Sequence, residues 1–121
     1  MRYDWLDAFL LKQKGVSKNL QPDWNWVRYV LADKLFAAVC LDGQGQPYYI
    51  TCKLPPAEGL RLRQEYPEDV VPGYYMNKVH WNSVKPDGAV PDDVLREALL
   101  QSYQLVLQSL SKKKQAELLA E

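Results

Sequence analysis

The sequence predicts an α+β domain: an antiparallel sheet of about five strands with helices gathered on one face. Three observations predict it. Two adjacent runs from Trp24 to Leu41 and a third from Pro47 to Leu54 carry β-type patterns and are joined by short turn signals. Segments of helical period, Asp4–Lys14 and a long run from Pro91, lie at either end of the chain. Consecutive hairpin strands flanked by helices favour helices packed on one side of the sheet over a parallel, doubly covered one. The predicted order is α-β-β-β-α-β-β-α.

In the first helix, Trp5, Ala8, Phe9 and Lys12 share a stripe with Leu11 beside them; Asp4 serves as N-cap and Gly15 as stop. Residues 16–23, with Asn19, Pro22 and Asp23, read as a connecting loop. Trp24, Trp26, Arg28 and Val30 then alternate with Val27, Tyr29 and Leu31. Ala32-Asp33 turns tightly into Lys34–Leu41, apolar on both faces and so a central strand. Asp42-Gly43-Gln44-Gly45 is a hairpin signal, and Pro47–Leu54 puts Tyr48, Ile50, Cys52 and Leu54 on one face, Tyr49, Thr51 and Lys53 on the other. A hairpin folded about Gly43-Gln44 sets Cys40 opposite Tyr48 and Cys52 opposite Phe36. At about 3.3 Å per residue the thiols are then roughly 13 Å apart, too far for a disulfide.

Pro55-Pro56 opens a helix that runs to Tyr66, and Pro67 ends it. Short strands are expected at Gly73–Met76 and Trp81–Lys85, and Pro86-Asp87-Gly88 forms a turn. The last helix carries Leu95, Ala98, Leu99, Ser102, Leu105 and Val106 on one stripe, with a break near Ser109–Ser111. The domain is expected over residues 1–110, with 111–121 as a helical extension. Cations oppose a helix N-terminus, so Lys112-Lys113-Lys114 is expected to prolong the preceding helix rather than to start a new one.

Composition narrows the function classes. Hydrophobic residues at 47% and charged residues at 25% are globular values, and 121 residues suffice for a core. Fifteen basic and fifteen acidic residues cancel, so any basic face must be made by folding. There is no apolar run of spanning length and no secretory pattern at the N-terminus, so a cytoplasmic protein without a membrane partner is expected. A monomer is favoured. Two cysteines and one histidine supply too few ligands for a zinc site, and no cofactor is expected. Ser83, His80 and Asp87 lie close in sequence, but no glycine-flanked nucleophile turn surrounds the serine, so no catalytic residue is assigned and a non-enzymatic role is expected.

The densest chemistry is Pro72-Gly73-Tyr74-Tyr75-Met76-Asn77-Lys78-Val79-His80-Trp81-Asn82-Ser83-Val84. With Lys34, Lys53 and Lys85 it yields a nucleic-acid candidate set of Lys34, Lys53, Asn77, Lys78, His80, Trp81 and Lys85, with Tyr49 and Tyr75 interleaved. Lysines would meet phosphates and exposed rings would stack on bases. The competing reading has the aromatics filling the core and the lysines solvated. Arg61 and Arg63, two apart on a helix, read as solvent-exposed.

This motif resembles the MmcQ/YjbR family. Lys34-x-Phe36-Ala37, Lys53, Asp87-Gly88-x-Val90-Pro91-Asp92 and Ser102-Tyr103 agree with it as well, so the resemblance covers roughly residues 3 to 110. It implies a CyaY-like (frataxin-like) fold and, from a double-wing likeness, a role in binding double-stranded DNA. It supplies no catalytic residues. Gln21-Pro22-Asp23-Trp24-Asn25-Trp26 departs from the acidic-aromatic-Pro-Phe-Gly stretch of many members. Frataxin-like iron binding fails on its residues, since the first helix offers only Asp4 and Asp7 as acids. The alternative to DNA is a protein-interaction or small-ligand-binding module.

Overall fold

The computed structural model describes residues 1–73 and 76–120; Tyr74, Tyr75 and Glu121 lie outside the described residues. Its elements are α1 (Leu6–Leu11), β1 (Val16–Gln21), β2 (Trp26–Leu31), β3 (Lys34–Leu41), β4 (Pro47–Lys53), α2 (Pro56–Glu65), β5 (Val70–Pro72), β6 (Trp81–Val84), α3 (Asp92–Ser109) and α4 (Lys112–Leu119). The α+β class holds. The sheet is antiparallel throughout, in the order β1-β2-β3-β4-β6-β5.

The sixth strand is β1, where the sequence predicts a loop. Its residues are partly or fully exposed, because it is an edge strand paired only with β2, and polar residues suit such an edge. A strand with no buried face writes no alternation into the sequence. It begins early because α1 stops at Leu11, and Gly15, at φ +80°, turns the chain straight into the sheet.

Register is set by the turns. Ala32 and Asp33 both have positive φ, as a two-residue hairpin between right-twisted strands requires. In the next hairpin the Asp42 carboxylate accepts from the N–H groups of Gln44 (2.8 Å) and Gln46 (2.9 Å), and the register shifts at Cys40/Leu41. That shift sets Cys40 opposite Tyr49 and Cys52 opposite Ala37, one residue from the predicted pairing. The consequence is topological: side chains alternate along a strand, so the two buried, free thiols lie on opposite faces of the sheet.

One face is covered by helices. Leu6 and Leu10 of α1, Leu62 of α2 and Leu95, Leu99 and Val106 of α3 pack onto Tyr29, Leu31, Val39, Ile50 and Cys52. Tyr103 and Leu107 join the α3 stripe, whereas the expected Leu105 is only half-buried. Ser102 pins this helix to the sheet. Its Oγ donates to the Phe36 carbonyl (2.5 Å) and accepts from the Lys53 N–H (2.8 Å). It thereby bridges β3 and β4 beside the bulge that puts Phe36 and Ala37 both in the core. Tyr103 sets its ring edge-on to Phe36 and donates to the Lys14 carbonyl. The Ser-Tyr pair is structural.

Two further expectations are corrected. The predicted strand at Gly73–Met76 lies earlier, at Val70–Pro72; of the predicted stretch, Gly73 and Met76 are not in a strand, and Tyr74 and Tyr75 fall outside the described residues. The lysine run does not prolong α3. It starts α4, because Leu110 leaves the helical region and the Ser111 Oγ accepts from the Lys114 N–H (3.1 Å). A capping serine is worth about 1 kcal/mol and works against the unfavourable end charge. Leu118 of α4 then packs on the core beside Gly15.

Candidate functional site

Residues 73–80 join β5 to β6 at the end of the sheet where Lys34 and Lys53 also lie. The Gly73 N–H donates to the Trp81 carbonyl (2.7 Å), and a Cβ on Gly73 would sit 2.7 Å from the Trp81 Cβ. Only glycine lets the chain pass so close. The Asn77 side-chain oxygen accepts from the N–H groups of Val79 (2.8 Å) and His80 (3.3 Å), while its backbone carbonyl accepts from Trp81 (2.9 Å). The side-chain oxygen of Asn77 therefore shapes the loop. The His80 carbonyl accepts from Leu54, tying the loop to the end of β4, and the His80 ring is half-buried.

Several cations lie at this end of the sheet, on both of its faces. Lys53 sits opposite Trp81 in register, on the face turned away from the helices, and Trp81 is half-buried. Lys78 is exposed, with its Nζ donating to the Gly73 carbonyl (3.2 Å). Lys34 is exposed at the start of β3, at the same end. Arg63, read from sequence as merely solvent-exposed, reaches across from α2. Its guanidinium donates to the carbonyls of Gly59 (3.2 Å) and Lys78 (3.3 Å). Among the described residues no carboxylate lies within ion-pair distance of Lys34, Lys53 or Arg63. The pattern of α2 held no signal for Arg63's role, because the loop it supports lies fifteen residues away.

Lys85 does not join them. It follows β6 at the opposite end of the sheet, beside Tyr48, Tyr49, Asp69 and Pro86. Four strand residues separate it from His80, a span of more than about 10 Å. The Ser83, His80 and Asp87 grouping is not assembled either. Ser83 is fully buried with its Oγ 3.0 Å from Thr51 Oγ1, and Asp87 accepts from the Arg2 N–H. No group of three or more His, Cys, Asp or Glu among the described residues is placed to hold a metal ion, and no helix among them is long and apolar enough to cross a membrane.

The uncovered face holds a second feature. Trp26, Ala38 and Cys40 form a small buried cluster with Leu35, Tyr48, Tyr49 and Met76 against it. Beneath runs a polar ladder, Cys40 Sγ to Thr51 Oγ1 (3.8 Å) and Thr51 to Ser83 (3.0 Å). Burial pushes the Cys40 thiol up to about 11 and the Cys52 thiol up to about 12, so both are protonated at neutral pH. Beside the cluster a cleft of about 640 Å³ is lined by Asp23, Trp24, Trp26, Arg28, Leu35 and Met76. The sequence shows these six only as scattered strand and loop residues.

Comparison with known proteins agrees with this architecture. The chain is 29% identical over 106 residues to the uncharacterized protein YjbR of Escherichia coli K12, covering 88% of this chain and 87% of that one. It is 39% identical over 72 residues to the uncharacterized protein YbdF of Escherichia coli O157:H7, covering 60% and 57%. The crystal structure of a Deinococcus radiodurans protein of the domain class DUF419 superposes with TM-score 0.83 at 29% identity, covering 95% of this chain and 86% of that one. A Pseudomonas syringae crystal structure, at TM-score 0.68 and 21% identity over 88% of this chain and 99% of that one, shares the fold. The YjbR family model matches residues 11–105, and the chain belongs to the YjbR family of uncharacterised proteins.

Proposed function

We propose that this protein is a non-enzymatic DNA-binding protein that meets duplex phosphates with the cationic end of its sheet. The observation that carries the reading is that Lys34, Lys53 and Arg63, none paired with a carboxylate among the described residues, lie at the same end of the sheet as the loop that carries Lys78. Cations not neutralised within the fold are those free to displace counterions from a phosphate backbone. Trp81 and His80 are half-buried at the same end of the sheet. The reading rests on one loop: the Asp42–Gln46 hairpin at the far end carries an acid and no cation. Lys85, also at that far end, is left out of the contact.

Fluorescence anisotropy with a labelled duplex tests it. Four phosphate contacts predict an affinity that falls about a hundredfold between 50 and 200 mM salt. The Lys53→Gln/Arg63→Gln double variant is expected to lower the salt slope by about 2. Absence of binding at about 50 mM salt, where electrostatic attraction is strong, overturns the proposal.

A further inference from the structure

The cleft on the uncovered face borders the cationic end through Met76 and Leu35 and offers different chemistry. Trp24 is 62% exposed in the β1–β2 loop, an unusual position for the largest apolar side chain. Its ring meets Trp26 edge-on, with centroids 5.5 Å apart and planes at 63°. Leaning on a buried neighbour fixes Trp24 as a platform. Leu35 and Met76 add apolar lining.

Two charged groups complete the lining. Arg28 is half-buried, pairs with no carboxylate among the described residues, and makes a single long hydrogen bond, 3.4 Å to the Asn19 side-chain oxygen. A guanidinium held in an apolar cleft with so weak a partner retains most of its donors for an anion. The Asp23 carboxylate has no cation partner among the described residues and can accept from an N–H group. A cleft of about 640 Å³ lies within the range of small-molecule sites.

We infer that this cleft binds a planar aromatic anion of nucleotide size, its ring stacked on Trp24, its anionic group on Arg28 and an amino group carried by the ring on Asp23. The chemistry is that of a nucleoside monophosphate, either free or at the end of a single strand. Apart from Met76, which belongs to the 73–80 loop, the site shares no residue with the duplex-binding surface.

Titration of the full chain with adenosine monophosphate and with adenosine, followed by two-dimensional amide NMR, tests the inference. Saturable shifts are expected around Trp24, Trp26 and Arg28, with adenosine at least about tenfold weaker because it lacks the anion. Trp24→Ala and Arg28→Gln should each weaken adenosine monophosphate about tenfold or more. Trp24 is exposed and outside the strands, so its variant keeps the fold, which the same spectra verify. A 5′-phosphorylated single-stranded tetranucleotide that binds the same residues more tightly identifies the strand end as the source, and one that binds more weakly identifies the free nucleotide. Lys53→Gln/Arg63→Gln should leave this binding unchanged, so it and the duplex reading fail separately. No saturable shift up to about 5 mM, equal binding of nucleotide and nucleoside, or undiminished binding by Trp24→Ala would overturn it.

Discussion

The two faces of this sheet are made from the same strands and obey different rules. On the covered face nearly every inward side chain is aliphatic or aromatic; of its polar groups, Ser102 bridges two strands and Tyr3 donates to the Val90 carbonyl (2.7 Å), whereas Asn82 Oδ1 and Trp5 Nε1 are buried without a hydrogen-bond partner among the described residues. The uncovered face buries only a small cluster, places Thr51 and Ser83 beneath it, and exposes Trp24, Arg28 and Lys53 toward solvent to differing degrees. The difference teaches where selection for folding ends. Apolar burial at about 25 cal/mol per Å² demands a closed, complementary surface, and the helices supply it. The other face, freed from that demand, can carry aromatic and cationic groups that contribute little to stability.

The largest test of this contrast is paired truncation. Leu99→Ala, at a fully buried position, should cost about 2–5 kcal/mol by urea denaturation, whereas Trp24→Ala should cost under about 1 kcal/mol. Comparable losses would break the comparison. Next comes Ser102→Ala, which strands the Phe36 carbonyl and the Lys53 N–H without their partner and should cost about 1–3 kcal/mol in the same assay. A neutral result would show that water replaces the hydroxyl.

The thiols probe the faces directly. Both are raised by burial, so at pH 8 each is mostly protonated and reacts only after opening. Cys52 lies under the helices and Cys40 under Trp26 and its neighbours, so labelling by a disulfide reagent should modify Cys40 first. Equal rates would mean that the two faces open together. Because both folded pKa values exceed the unfolded one of about 8.5, the associated stability is present below that pH and declines as pH rises toward 11 and 12.

The smallest effect concerns Asp7. The Lys18 ammonium (2.8 Å), followed by the Tyr29 hydroxyl (2.7 Å), holds its carboxyl below the usual carboxylate range. A lowered folded pKa gives stability above the unfolded value of about 3.9 that is lost as pH falls through the folded one. Asp7→Asn should therefore flatten the acid limb of the stability curve. The half-exposed ion pair keeps the change below about 1 kcal/mol near neutral pH.

Much of the fold was legible. The helical stripe of Leu95–Val106, the Ala32-Asp33 turn and the Pro55-Pro56 helix start each carry a local physical signature, whereas the stripe of the first helix was misplaced: Leu6 and Leu10 face the core, and Ala8, Leu11 and Lys12 are exposed. Edge strand β1 was not legible, because an exposed strand has no buried face to imprint a period. The start of α4 depended on one cap, Ser111, against three unfavourable lysines. Of the candidate residues, Lys53, Asn77, Lys78, His80 and Trp81 come together because they share a hairpin or its neighbour, with Lys34 at the same end. Lys85, adjacent to that hairpin in sequence, is carried to the other end simply by the length of β6.

By itself the sequence determined the α+β class and the family, because turn chemistry and a long motif are local properties of the chain, whereas bulges moved Phe36 beside Ala37 in the core and Tyr48 beside Tyr49 on the uncovered face. Only the tertiary structure decided which charges lack a partner and which aromatic rings lie open. Pairing and exposure depend on residues far apart in the chain: Arg63 with the Lys78 carbonyl, and Arg28 and Trp24 with Leu35 and Met76 across the sheet. Local pattern cannot encode a neighbour that only the folded sheet brings near.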